Sequence, residues 1–199
     1  LHPLLSSLPE AWRDNVGLLQ NELLPREWEA HGIDNPTVIS VWFEKKTGMD
    51  AKALLPSPIH GPQAERLESA LAAIGLPARI VLEADDFLWE LVRKNLYILT
   101  TNIAGLESSG DVGSLWRERR GLLDGVATDV LDVQEWLCDK RFDRDRLMAG
   151  LAEAINADLC HPCAGRTASA RLTRAVHHAD AAGLTVPTLR RIAQAQGIA

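Results

Sequence analysis

Residues 85–105 read DDFLWELVRKNLYILTTNIAG, and their reading decides how the chain is divided. Two acids open the stretch and a glycine closes it, the order expected of a helix whose dipole favours anions at its start and whose last turn needs a left-handed residue. Between them the residues are almost all apolar, yet Arg93, Lys94, Asn95 and Asn102 interrupt them. An amide buried without a partner costs roughly 2–7 kcal/mol. These groups are therefore either solvated or set along a polar cleft. At 100° per residue Asn95 and Asn102 differ by about 20° in azimuth, and Lys94 and Asn102 by about 80°. The spacing puts the polar groups on one side of the helix over two turns. A lysine in a partly desolvated cleft can donate a proton, and neighbouring asparagines can hold a carbonyl or hydroxyl. The same residues also fit a lysine that snorkels and amides that make helix contacts.

Upstream of this helix, short apolar stretches alternate with helical ones. DNVGLLQN (14–21) and NPTVISVWFEK (35–45) read as strands, the second rich in β-branched and aromatic residues. AKALLPSPIHGP (51–62) reads as a short strand interrupted by Pro56 and Pro58, which predicts an edge position. Pro62 and Gly75 bracket a helix over 62–75, and PARIVLEA (77–84) reads as a further strand. Downstream of residue 84 the strand signals vanish. Leu115, Leu122, Val126, Val130, Val133 and Leu137 form one apolar stripe, which predicts a single helix over 113–137. Shorter helices are predicted over 143–157, 167–183 and 186–196, with Gly183 and Pro187 marking a stop and a restart. The expected fold is thus α+β or α/β: a partial Rossmann-like segment with a mixed sheet over 1–84, then an all-helical domain over 85–199.

The net charge of −6 argues against a nucleic-acid or membrane-surface binder. Arg117, Arg119 and Arg120 flank Glu118, and Arg141, Arg144 and Arg146 alternate with Asp143 and Asp145, patterns expected of solvated mixed-charge faces. No apolar run reaches the roughly 20 residues a membrane span needs. Three cysteines and no visible signal peptide predict a cytoplasmic chain, although it starts at Leu1 rather than methionine, as a processed or trimmed chain would. CHPC (160–163) lacks the two further ligands a tetrahedral zinc site requires, so no metal is expected. Asn21 follows the strand of LLQNELLP (18–25), either at a ligand-binding strand tip or as the cap of the next helix. The chain contains no G-x-G-x-x-G, no P-loop and no G-x-S-x-G.

Several features in order resemble the ketopantoate reductase family, from the second half of its nucleotide-binding domain to its C-terminus. LLQNE (18–22) resembles a strand ending in Asn-Gly, with Glu22 in place of the glycine. VISVWFEKK (38–46) and PSPIHGP (56–62) resemble the strands before the last α/β unit. RKNLYILTTN (93–102) resembles the lysine-bearing helix, and GRTASARL (165–172) with GLTVP (183–187) the C-terminal signature. The resemblance implies a helical domain of the hydroxyacid (6-phosphogluconate) dehydrogenase C-terminal type and NADPH-dependent reduction of a 2-keto acid. It implies Lys94 as proton donor, Asn102 as a substrate-binding amide, and Asn21 near nicotinamide and substrate.

The chain departs from the pattern at three places. Ile98 stands where the family has an asparagine four residues after its lysine, and Ser169 or Ala168 where it has a glutamate. The Gly-rich loop is absent, so NADPH is not expected to bind well to this chain alone. Two readings remain: a reductase whose dinucleotide-binding half is supplied separately, and a non-catalytic relative serving as a dimerisation or binding module. The first places Lys94, Asn102 and Asn21 around one cleft, and the second predicts an occluded or apolar cleft, with Lys94 exposed or paired with an acid such as Glu90. Half a sheet leaves an open edge, and open edges recruit partners, which predicts a homodimer.

Overall fold

The computed structural model describes residues 2–45, 48, 50–108 and 110–198. Leu1 and Lys46, which belong to the sequence readings above, lie outside the described residues. The chain divides into two compact units, Leu1–Lys94 and Asn95–Ala199.

The first unit is built on a four-stranded mixed sheet in the order β1-β2-β5-β6, from β1 (Gly17–Gln20), β2 (Thr37–Ser40), β5 (Ser57–His60) and β6 (Ala78–Ile80). β1 runs parallel to β2, β2 antiparallel to β5, and β5 parallel to β6. A two-residue ribbon of β3 (Phe43–Glu44) and β4 (Lys52–Ala53) stands apart from it. The core of the sheet gathers Ile39, Ile59, Ala64, Leu71 and Leu76, so α4 (Ala64–Ala73) covers one face. Three short helices, α1 (His2–Ser6), α2 (Glu10–Arg13) and α3 (Pro25–Glu29), complete the unit. No sequence pattern marks α1 and α2, because five and four residues are too few for a periodic stripe.

Two expectations are corrected here. The 35–45 stretch breaks at Val41 and Trp42 into β2 and β3. The strand containing Pro58 is interior, with β2 on one side and β6 on the other. Its proline is tolerated because the β2 ladder pairs only Val38↔His60 and Ile39↔Ile59, ending before Pro58 would need an N–H. Toward β6, Ser57 donates to the Pro77 carbonyl and Val81 to the Ile59 carbonyl at the two ends of the ladder, with Pro58 between them paired with Arg79. Gly61 follows with φ of 116°, and a Cβ there would meet the Pro36 carbonyl oxygen at 2.4 Å, so only glycine allows the chain to leave β5 so close to β2.

A single helix, α5 (Ala84–Ala104), runs from the first unit into the second. The second unit is otherwise α6 (Val112–Glu118), α7 (Arg120–Cys138), α8 (Arg144–Ala157), α9 (Ala168–Ala182) and α10 (Pro187–Ala195). α7 packs against α6, α9 and α10, and α6 against α8. The helix expected over 113–137 is two, because Arg119 leaves the helical region at φ −127°, ψ 34°. Leu115, Val126, Val130 and Val133 of the expected stripe are buried, while just after the break Leu123 is buried and Leu122 half-buried. Asp111 caps α6 by accepting from the Ser114 amide at 2.7 Å. Gly183 ends α9 at φ 66°, and Pro187 opens α10.

Candidate functional site

The helix that opened the sequence analysis is not polar on one side and apolar on the other. From Glu90 to Thr101 every residue of α5 is buried, so each polar group there needs a local solution.

Lys94 and Arg93 belong to the first unit, where α5 meets the segment after β2. The Lys94 Nζ lies 3.9 Å from the centre of the Trp42 ring, and the Arg93 guanidinium lies 5.5 Å from it. Trp42 is itself 1% exposed, and its backbone amide donates to the Ser57 Oγ on β5 at 2.9 Å. Lys94 is 6% exposed, so its ammonium rests on an aromatic face in a site with little water. A cation on an indole gains about 0.5–2 kcal/mol, which offsets part of its desolvation. Glu90 pairs with Arg79 of β6, and its other oxygen lies 3.6 Å from Arg93.

Asn21 sits just past the end of β1 and is exposed. It does not cap the helix that follows: α3 starts from Leu24, whose amide donates to the Glu27 side chain at 2.7 Å. The turn that carries Asn21 is shaped by the preceding residue. Gln20 is 5% exposed, and its side chain accepts from the Leu23 amide at 2.7 Å. A glutamine at a strand end gives no such signal in sequence.

In the second unit the two asparagines of α5 have separate partners. Asn95 donates to Gln134 of α7 at 2.8 Å, an amide pair in which both residues are 2% exposed. Asn102 accepts from the Gly165 amide at 3.0 Å and from Arg171 at 3.1 Å, and donates to the Ile98 carbonyl at 2.9 Å. The GRTASARL stretch thus closes onto the lysine-bearing helix through one carboxamide. Arg171 also reaches Thr167 at 2.7 Å. Ile98 is 8% exposed, Ala168 is buried at the start of α9, and Ser169 is exposed beside it.

The remaining sequence features resolve into structural roles. CHPC forms the turn between α8 and α9, where Cys160 is exposed and Cys163 is buried. Burial pushes the Cys163 thiol up to about 11, with the Asp111 carboxylate adding to it. Among the described residues no group of three His, Cys, Asp or Glu side chains could hold a metal. His177 is exposed, while His178 is half-buried with its ring 6.2 Å from Trp136. Arg117, Glu118, Arg119 and Arg120 are solvated, as expected. Arg144 is not: it binds Asp132 at 2.6 Å and Glu135 at 2.5 Å, with Arg141 joining Glu135 at 2.6 Å.

No family model matches the chain, and no curated protein sequence does. Solved structures do. A 2-dehydropantoate 2-reductase from Porphyromonas gingivalis superposes with a TM-score of 0.57 at 14% identity, over 92% of this chain and 72% of that one. A ketopantoate reductase from Ralstonia eutropha gives 0.59 at 17% identity, over 89% of this chain and 64% of that one. D-mandelate dehydrogenase, solved with NADH and anilino(oxo)acetate, gives 0.67 at 12% identity, over 97% of this chain and 70% of that one. The chain therefore spans about two thirds of the length of these proteins. It has the mixed α and β fold of the ketopantoate reductases and D-mandelate dehydrogenase, the fold that RKNLYILTTN and GRTASARL pointed to.

Proposed function

We propose that this chain is a ketopantoate-reductase-like protein, related to NADPH-dependent reductases of 2-keto acids and incomplete as it stands. In this reading residues 1–84 are the second part of a Rossmann-like domain and 85–199 the helical domain. Lys94 is the proton donor to the keto oxygen, Asn102 a substrate-binding amide, and Asn21 the strand-tip residue beside nicotinamide and substrate. The substrate is a small 2-keto acid, the assembly a homodimer, and the location the cytoplasm. Hydride transfer belongs to the nicotinamide; this chain's part is to hold and protonate the substrate.

One observation carries the reading: Lys94 is enclosed on the face of Trp42 rather than exposed. A general acid must be a positioned side chain, and the Trp42 face holds the Lys94 ammonium in place. The alternative, a non-catalytic relative acting as a binding or dimerisation module, draws support from the same occlusion of Lys94, from Ile98 and Ser169, and from Asn102, whose carbonyl oxygen already holds Gly165 and Arg171.

The test is a titration of NADPH followed by nicotinamide fluorescence. It is run on this chain alone and on the chain joined to whatever polypeptide the gene encodes ahead of Leu1. The proposal expects no change with the chain alone and saturable binding by the joined form. Failure of both to bind, with no turnover of 2-keto acids, leaves the non-catalytic reading.

A further inference from the structure

We propose that Ser6 is a nucleophile, activated through His31, His2 and Glu27, that accepts acyl groups from activated esters and thioesters. The proposal is independent of the reductase reading, and its four residues hold one another between α1 and α3.

Three distances define the relay. The Ser6 Oγ lies 3.1 Å from the His31 Nδ1. The other ring nitrogen of His31, Nε2, lies 3.0 Å from the His2 Nδ1. The ring centres are 5.3 Å apart, which leaves these two nitrogens between the rings and aimed at each other. The remaining nitrogen, His2 Nε2, faces the Glu27 Oε1 at 3.5 Å. The second oxygen of that carboxylate accepts from the Leu24 amide at 2.7 Å, which fixes Glu27 in the first turn of α3. His2 and Ser6 stand four apart on α1, so one face of the helix carries both. The side chains lie in series rather than around a common point, so they make a path for protons and not a metal centre.

The carboxylate sets the direction of every proton. A neutral imidazole donates from one nitrogen and accepts at the other, and an ionised carboxylate only accepts. His2 therefore turns its Nε2–H to Glu27 and offers a lone pair at Nδ1. His31 then donates from Nε2, which leaves its Nδ1 to accept from the Ser6 hydroxyl. The reverse direction would aim a lone pair of His2 at the carboxylate. A serine bonded to an imidazole that a further group orients is the arrangement that activates a nucleophile, and it is recognised by geometry on any fold.

The step balances without a cofactor. The Ser6 Oγ attacks the acyl carbon while its proton passes to the His31 Nδ1. The positive charge formed on the imidazole pair is faced by Glu27. The bond to the leaving alcohol or thiol then breaks, and that group takes the proton from His31. An ester at Ser6 and a free alcohol or thiol result.

The surroundings of Ser6 select the donor. Ser6 is exposed, so an acyl donor reaches it from solvent. The Ser7 and Leu8 amides, next along the chain, already donate to the Leu4 and Leu5 carbonyls. This turn therefore offers no backbone donor to the developing oxyanion, and one such donor is worth roughly 10²–10³-fold in rate. Amides are too stable to react on those terms, which leaves acyl groups carried by good leaving groups. Ser7 is an internal control: it is exposed too, but its hydroxyl donates to the Leu4 carbonyl at 2.8 Å.

The full chain is mixed with p-nitrophenyl acetate, nitrophenolate release is followed, and the acetyl group is located by mass spectrometry of peptides. The expected result is a burst of nitrophenolate, acetyl on Ser6 and none on Ser7. Ser6→Ala removes the burst. His31→Gln, which keeps a hydrogen-bonding side chain but cannot take the proton, slows it at least about tenfold, since a general base commonly contributes about 10²–10⁴-fold. Glu27→Gln slows it as well, and circular dichroism confirms that each variant is folded. Acetyl found only on lysines or histidines, or on Ser6 and Ser7 alike, overturns the proposal. So does a burst that His31→Gln leaves unchanged.

Discussion

Asn102 ties the Gly165 amide and Arg171 to α5 through one carboxamide. Replacing it by alanine leaves an amide and a guanidinium to find other acceptors. Asn102→Ala should cost about 1–3 kcal/mol of stability. Asn102→Asp keeps the acceptor oxygens for both donors and should cost less, a difference that chemical denaturation of the two variants reads directly. Equal losses would mean that the donation to Ile98, not the clasp, is what the residue contributes.

Glu135 is a residue whose charge bears on stability against acid. Burial at 5% exposure opposes its ionisation, but hydrogen bonds from Arg144, Arg141 and the Phe142 amide outweigh that and hold its carboxyl below the ordinary 4.5. A depressed carboxylate binds fewer protons in the folded state than in the unfolded one. Its stabilisation is complete above the unfolded value of 4.5 and is lost as pH falls through the lower folded value. Glu135→Gln should therefore remove part of the loss of stability below about pH 4.5, at the cost of lower stability at pH 7. Thermal melts between pH 3 and pH 7 check both signs.

At the scale of elements, what the sequence made legible follows from how local the signal is. α5 needed only its own acids, its apolar run and Gly105, and it was read to within one residue at each end. Gly105 itself answers to something distant: a Cβ there would meet the Cys163 Cβ at 2.7 Å, so the glycine lets the turn between α8 and α9 approach. The division of 113–137 was not legible, because Arg119 is an ordinary residue in an unusual conformation. The interior position of β5 was hidden by Pro58, whose cost depends on where the neighbouring ladder ends. Gln134 and Gln20 gave no sign of their roles, since each is defined by a partner that only the fold supplies. Lys94, by contrast, stood out in the sequence, and the structure gave it a tryptophan neighbour that no spacing rule names.

The start of α10 depends on α7 in the same non-local way. Asp129 is 3% exposed and accepts from the Thr188 and Leu189 amides at 2.7 and 2.9 Å, serving as a cap from another helix. Burial raises its carboxyl above the usual range, with the two amides pulling the other way. Asp129→Ala should cost about 1–2 kcal/mol by leaving two helical N–H groups uncapped. The loss should appear as faster hydrogen exchange over Pro187–Ala195. Unchanged exchange there would assign the cap to another group.

At the scale of the whole molecule, the two units divide the polar groups of α5 between them, Lys94 in the first and Asn102 in the second. The first holds a buried lysine on an aromatic face and ends its sheet at a bare strand. The second closes the GRTASARL stretch onto the helix that carries that lysine. The fold is shared with proteins about half as long again. The most direct test is the rate of NADPH oxidation with ketopantoate by the joined polypeptide, compared with its Lys94→Ala variant. Loss of about 10²–10⁴-fold in kcat with little change in NADPH affinity is the predicted result for a general acid. An active enzyme whose kcat is untouched by the substitution would contradict it.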